Sequence, residues 1–283
     1  MVESTLPAAL PLVRRDLLRA GALAGFALAV QPVAAATILT PPDGLQAGPI
    51  EIPAGDRSIP GYHARPEGKG SWPVILVVHE IFGVHEHIRD VCRRFARSGY
   101  LAVAPDLYVR QGDVSRLPAI PDIMPVVAAV PDRQVMSDLD AAADWAQAHG
   151  GNGRLGVTGF CWGGRITWLY AAHNPAVGAA VAWYGRVRGQ ATSLQPRHPI
   201  EVVAELKAPV LGLYGGRDEG IPQSDLDLMR TALKEAGKEA EIHVYPDAPH
   251  GFHADYRPSY REAEARDGWT RCLRWLAAHG VSP

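Results

Sequence analysis

The stretch Gly159-Phe-Cys-Trp-Gly-Gly164 constrains the fold more than any other part of the chain. Upstream, Arg154-Leu-Gly-Val-Thr158 predicts a short buried strand. Downstream, Arg165 to His173 predicts a helix with an apolar face. A cysteine between a strand and a helix, with glycine two before and two after, has the layout of a nucleophile elbow with sulfur in place of oxygen. Such a turn forces Cys161 into a backbone conformation that L residues avoid, so its neighbours must lack bulk. The sulfur then stands clear of the sheet, above the positive end of the following helix. The plain alternative is a Gly-rich turn holding an inert buried thiol.

The surrounding pattern predicts strands alternating with helices. Pro73 to Val78 is an unbroken β-branched run, as expected of a central parallel strand covered on both faces. A helix is expected from about His85 to Ser98, with Ile88, Val91, Cys92 and Phe95 on one stripe, which makes Cys92 a packed core thiol. Further strands are expected at Pro49–Pro53, Ile59–Arg65, Tyr100–Ala104, Ala176–Trp183, Ala208–Tyr214 and Ala240–Tyr245. Helices are expected at Asp132–His149, Gln223–Ala236 and Ser259–His279, the last of which packs Cys272. Residues 110–131 show no clear period and read as a long crossover loop able to cover a site. The alternation implies right-handed βαβ units, a mostly parallel sheet with helices on both faces, and one domain over 49–283.

The N-terminus differs in character. Arg14-Arg15 precedes an apolar stretch from Ala20 to Val30, and Ala34-Ala35-Ala36 follows. This reads as a twin-arginine-type export signal over 1–36, cleaved after Ala36, with a linker over 37–48. The apolar stretch is too short to span a bilayer, so no stable membrane span is expected after cleavage. In a bacterium the mature protein would be periplasmic; were the signal unused, it would be cytoplasmic. A formal net charge of -2 argues against a nucleic-acid partner. Three cysteines are too few for a disulfide framework.

Open α/β sheets place their chemistry at the carboxyl ends of the strands. Cys161, Asp218 and His250 satisfy that rule in chain order, and nucleophile, acid, histidine is the order of the α/β-hydrolase fold. An imidazole takes the proton of the thiol, and a carboxylate holds the imidazole in the needed tautomer. Singly, Asp218 reads equally as a turn or cap residue and His250 as a loop histidine. At the end of the central strand, His79-Glu-Ile-Phe-Gly83 would donate the backbone N–H of Ile81 to an oxyanion hole, with Trp162 donating the other. Glu80 would sit at the mouth of the site, close enough to govern the charge of the thiol.

His79-Glu-Ile-Phe-Gly83, Pro105-Asp-Leu-Tyr108, Gly159 to Gly164, Trp183-Tyr-Gly185, Gly216-Arg-Asp218 and His250-Gly-Phe252 together resemble the dienelactone hydrolases, or carboxymethylenebutenolidases. The resemblance implies that Cys161 is acylated by an ester or lactone, His250 is the base, Asp218 orients it, and Glu80 helps to form thiolate. It also places Tyr108, Trp183, Tyr184 and Arg257 against the substrate. Ala254 stands where chlorocatechol-pathway members have a carboxylate-gripping arginine, and Arg116 and Arg133 are the candidates for a second grip. A related esterase or lactonase acting on another ester is therefore expected.

No cofactor is expected. His85-Glu86-His87 lacks a further ligand at metal-binding spacing. The rival readings are a redox-active thiol at Cys161, which would need neither Asp218 nor His250, and a non-catalytic binding domain on a hydrolase scaffold. The expected partner is a small-molecule ester or lactone; the sequence leaves monomer and homodimer open.

Overall fold

A computed structural model describes residues 38–283; the export signal expected over 1–36 lies outside the described residues. Eight strands form one sheet in the order β1-β2-β4-β3-β5-β6-β7-β8. β1 (Leu45–Pro53) and β2 (Ser58–Pro66) form an antiparallel hairpin, and β2 joins β4 (Leu101–Pro105) antiparallel. From there on, β3 (Trp72–Val78), β5 (Gly151–Phe160), β6 (Val177–Trp183), β7 (Val210–Gly215) and β8 (Ala240–Tyr245) all run parallel. This is the α/β-hydrolase fold.

The helices are α1 (Glu86–Arg97), α2 (Ile120–Ala128), α3 (Asp132–Ala148), α4 (Trp162–His173), α5 (Gln223–Glu235) and α6 (Glu262–Ala278). Val74 to Val78 are each fully buried, so helices cover both faces of the sheet centre. Ile88, Val91, Cys92 and Phe95 of α1 pack inward, as does Cys272 of α6. Burial pushes both of these thiols well above the usual cysteine range.

Two expected boundaries are corrected. β1 starts at Leu45, inside the segment read as linker, because Leu45 to Gly48 continue the hairpin register opposite His63 to Pro66. Residues 110–131 are not a plain loop. They hold a short 3-10 turn (Val114–Arg116) and then α2, whose Ile120, Ile123 and Val127 form a buried stripe. Prolines near the start of α2 and at Pro125 hid it, although proline suits a first turn, where the N–H groups lack partners anyway. Among the described residues, no helix is long and apolar enough to cross a membrane.

Candidate active site

Cys161 caps the N-terminus of α4 with φ 56° and ψ -114°. Its N–H donates to the Trp183 carbonyl at 3.0 Å, and its carbonyl accepts from the Gly164 N–H at 3.0 Å. The surrounding glycines are required by backbone lying on backbone. A Cβ on Gly159 would overlap the Gly163 carbonyl, and one on Gly163 would overlap the Val78 carbonyl of β3. A Cβ on Gly164 would come within 2.5 Å of the Trp183 carbonyl oxygen. The bend is thus wedged between β3 and β6, and the strained φ of Cys161 is held by its neighbours.

Asp218 follows β7 and His250 follows β8. His250 Nδ1 lies 2.6 Å from Asp218 Oδ2, while Asp218 Oδ1 accepts the Gly220 N–H at 2.9 Å. Burial alone would depress the imidazole pKa, but the Cys161 sulfur and the Asp218 carboxylate together raise it to about 10. The Asp218 carboxylate thus pairs with the imidazole, and the Cys161 sulfur lies near enough to act on its charge.

His79 ties the neighbouring loop in place. Its Nε2 accepts the Leu107 N–H at 3.1 Å, so the hydrogen lies on Nδ1, which donates to the Glu80 carbonyl at 2.7 Å. Burial lowers its pKa, which suits a ring that must stay neutral to make both bonds. Ile81 follows on this loop, and Trp162 begins α4. Among the described residues, neither of their backbone N–H groups donates to another backbone group.

Glu80 is not at the mouth of the site. It is fully buried, because groups far along the chain hold it. The Tyr256 hydroxyl donates to Glu80 Oε2, Arg257 Nη2 lies 3.9 Å from Oε1, and His85 Nε2 lies 3.7 Å from Oε2. Burial works against the charge, yet Arg257 and His85 keep the carboxyl far below its ordinary range. Arg257, expected to meet substrate, is itself buried, with its guanidinium 4.7 Å from the centre of the Phe82 ring.

Trp183 is likewise a core residue rather than a wall of the site. Its indole donates to Thr158 Oγ1 at 3.1 Å and stacks on Phe160 at 5.4 Å between ring centres. Tyr108 and Tyr184 are buried beside the sulfur; the Tyr108 ring lies 4.8 Å from Trp162, and the Tyr184 ring 5.1 Å from His250. Arg116 is paired with Asp113 at 2.9 Å on an exposed side chain, and Arg133 lines a groove with His173 and Lys207 at the far end of α4.

Sequence reasoning missed Tyr256, which anchors Glu80. It also missed the buried pair between His87 Nδ1 and Asp255 Oδ1 at 3.2 Å. Neither has a local signal, since each partner lies over 160 positions away, as the separations of 176 and 168 show. Among the described residues, no group of three or more His, Cys, Asp or Glu side chains could hold a metal ion.

The dienelactone hydrolase family model matches residues 59–280. The chain belongs to the dienelactone hydrolase family. A Methylorubrum extorquens protein named "Putative carboxymethylenebutenolidase" is 58% identical over 282 residues, covering 98% of this chain and 97% of that protein. An Escherichia coli K12 protein of the same name is 54% identical over 259 residues, covering 90% of this chain and 96% of that protein. A crystal structure described as a "Putative Dienelactone Hydrolase" from Klebsiella pneumoniae superposes with a TM-score of 0.82 at 55% identity. It matches 83% of this chain and 99% of that one. The protein is accordingly a hydrolase of the ester or lactone type.

Proposed function

We propose that this dienelactone hydrolase relative cleaves its ester or lactone through an acyl-thioenzyme formed on Cys161. The observation that carries the reading is the 2.6 Å bond between His250 and Asp218, with the Cys161 sulfur as the other strong influence on the imidazole. The proton of Cys161 passes to His250, and the sulfur attacks the scissile carbonyl. The Ile81 and Trp162 N–H groups, which donate to no backbone acceptor among the described residues, hold the resulting oxyanion. His250 returns its proton to the departing alkoxide as the thioester forms. Neutral again, it takes a proton from water, which attacks the thioester and releases the acid. The sulfur recovers its proton from His250.

Asp218 holds the tautomer and balances the imidazolium. Glu80 fixes Arg257 and Tyr256 beside the reaction. It helps to form the thiolate, as the family resemblance implies. The deciding experiment is steady-state hydrolysis of an activated aryl ester by the C161A variant. Loss of turnover supports the reading, and turnover at the wild-type rate rejects it.

We also propose export through residues 1–36. N-terminal sequencing of the protein from a periplasmic fraction should read from Thr37, and replacing Arg14 and Arg15 by Lys should retain it in the cytoplasm. Full-length protein found only in the cytoplasm of a host competent for folded export would overturn this.

A further inference from the structure

A groove of about 330 Å³ lies along the later turns of α4, and none of Cys161, Asp218, His250 and the Ile81 loop lines it. Small-molecule sites span roughly 300–1,000 Å³, so the groove has room for a ligand. Its walls are the first two turns of α3, the end of α4, and the segment 196–207, which holds the 3-10 turn Pro199–Glu205. Met136, Leu169, Ala172 and Val202 form the apolar part of the lining, each 5–9% exposed.

One buried side chain fixes its shape. Arg165, in the first turn of α4, grips both oxygens of Asp132 at 2.7 and 2.8 Å and donates to the Arg197 carbonyl at 2.7 Å. A single guanidinium thus ties the α3 wall and the 196–207 wall to the same helix. A groove held in this way is organised before any ligand arrives.

The charges of the lining do not cancel. Its acids are Asp132 and Glu205, and each is already taken, Asp132 by Arg165 and Glu205 by Arg197, which holds both of its oxygens. His173 is engaged as well, its Nε2 lying 2.8 Å from Asp140 Oδ2. Arg133 and Lys207 are left over. Both are exposed, and among the described residues neither touches a carboxylate. The Lys207 ammonium donates to the His173 carbonyl at 2.6 Å and acts on Glu205 without contact. Arg133, expected as a grip on substrate, lines this groove instead. Two unmatched cations beside an apolar floor complement an anion with a hydrocarbon body.

We infer that this groove binds a small amphipathic carboxylate, its anionic end on Arg133 and Lys207 and its hydrocarbon over Met136, Leu169, Ala172 and Val202. The site is separate from the catalytic one, so the inference stands or falls independently of Cys161.

The experiment follows the ring signals of His173 and His250 by NMR at constant pH and ionic strength, each identified by its loss in H173Q or H250Q. Hexanoate, 1-hexanol, hexylammonium and acetate are titrated in turn. Hexanoate should shift the His173 signal saturably, with an affinity about tenfold above that of hexanol, while hexylammonium and acetate give no saturable shift. R133Q and K207Q should each weaken hexanoate by about threefold. Hexanol or hexylammonium binding as tightly as hexanoate overturns the inference, because the groove would then select no anion. Acetate binding equally well overturns it too, because the apolar floor would then contribute nothing. So does hexanoate that moves His250 alone, or an affinity for hexanoate unchanged in both variants. A His173 signal that responds to protein concentration and not to hexanoate would make this face a contact between copies of the chain, and likewise ends the inference.

Discussion

His250 Nδ1 and Asp218 Oδ2 lie 2.6 Å apart, joining the loops that leave β8 and β7 across 32 residues of chain. The Asp218 side chain is 2% exposed, so the bond forms where little water competes for it. With its other oxygen held by the Gly220 N–H, the carboxylate cannot turn away, and Nε2 is the ring nitrogen left to meet the Cys161 sulfur.

Replacing that carboxylate by an amide keeps its shape and removes its charge. D218N should lower kcat by roughly 10²- to 10⁴-fold while leaving KM within about threefold. Steady-state kinetics on an activated aryl ester checks this. A kcat within about twofold of wild type would mean that the acid does not orient the histidine.

The raised pKa of His250 makes the pair a stability element as well. The ordinary value for a histidine is near 6.5; against the burial that would lower it, the Cys161 sulfur and the Asp218 carboxylate raise it here to about 10. A group whose folded pKa is the higher stabilises fully below its unfolded value and loses that contribution as pH rises toward the folded one. The difference in denaturant midpoint between wild type and H250Q should therefore be largest below pH 6.5 and shrink steadily toward pH 10. A difference that grows over this window contradicts the assignment.

The elbow makes a packing prediction. In G163A the added methyl would overlap the Val78 carbonyl, an atom of the central strand that cannot move aside. The variant should lose roughly 1–3 kcal/mol of stability and much of its activity together. Gly48, whose Cβ would meet nothing within 4 Å, is the control: G48A should fall within about 0.5 kcal/mol of wild type. Urea denaturation of both variants decides it.

The parts of the molecule legible in the sequence are those whose cause is local. The glycine spacing around Cys161 is dictated by contacts within the bend and the strands beside it. Val74 to Val78 announces a strand covered twice because every residue in the run is apolar. Asp218 and His250 could be located because strand ends are where open parallel sheets expose side chains. Glu80 was misplaced for the opposite reason: its depth comes from Tyr256 and Arg257, and no local pattern reveals a pairing across the whole domain. Trp183 was misjudged similarly: it is the last residue of β6 before the bend at Tyr184, and Phe160 and Thr158 of the neighbouring strand bury it. Helix α2 escaped notice because two prolines masked a stripe only three residues long.

The central claim is that the acyl group rests on the sulfur of Cys161 during turnover. Intact-mass and peptide mapping spectra, taken after rapid acid quench of H250A mixed with an activated ester, test it most directly, because loss of the imidazole should slow release more than attack. The account predicts an added acyl mass on the peptide containing Cys161, absent when the C161A change is introduced as well. An acyl group on a different residue, or turnover in the wild type with no acylated Cys161 at any quench time, would contradict it.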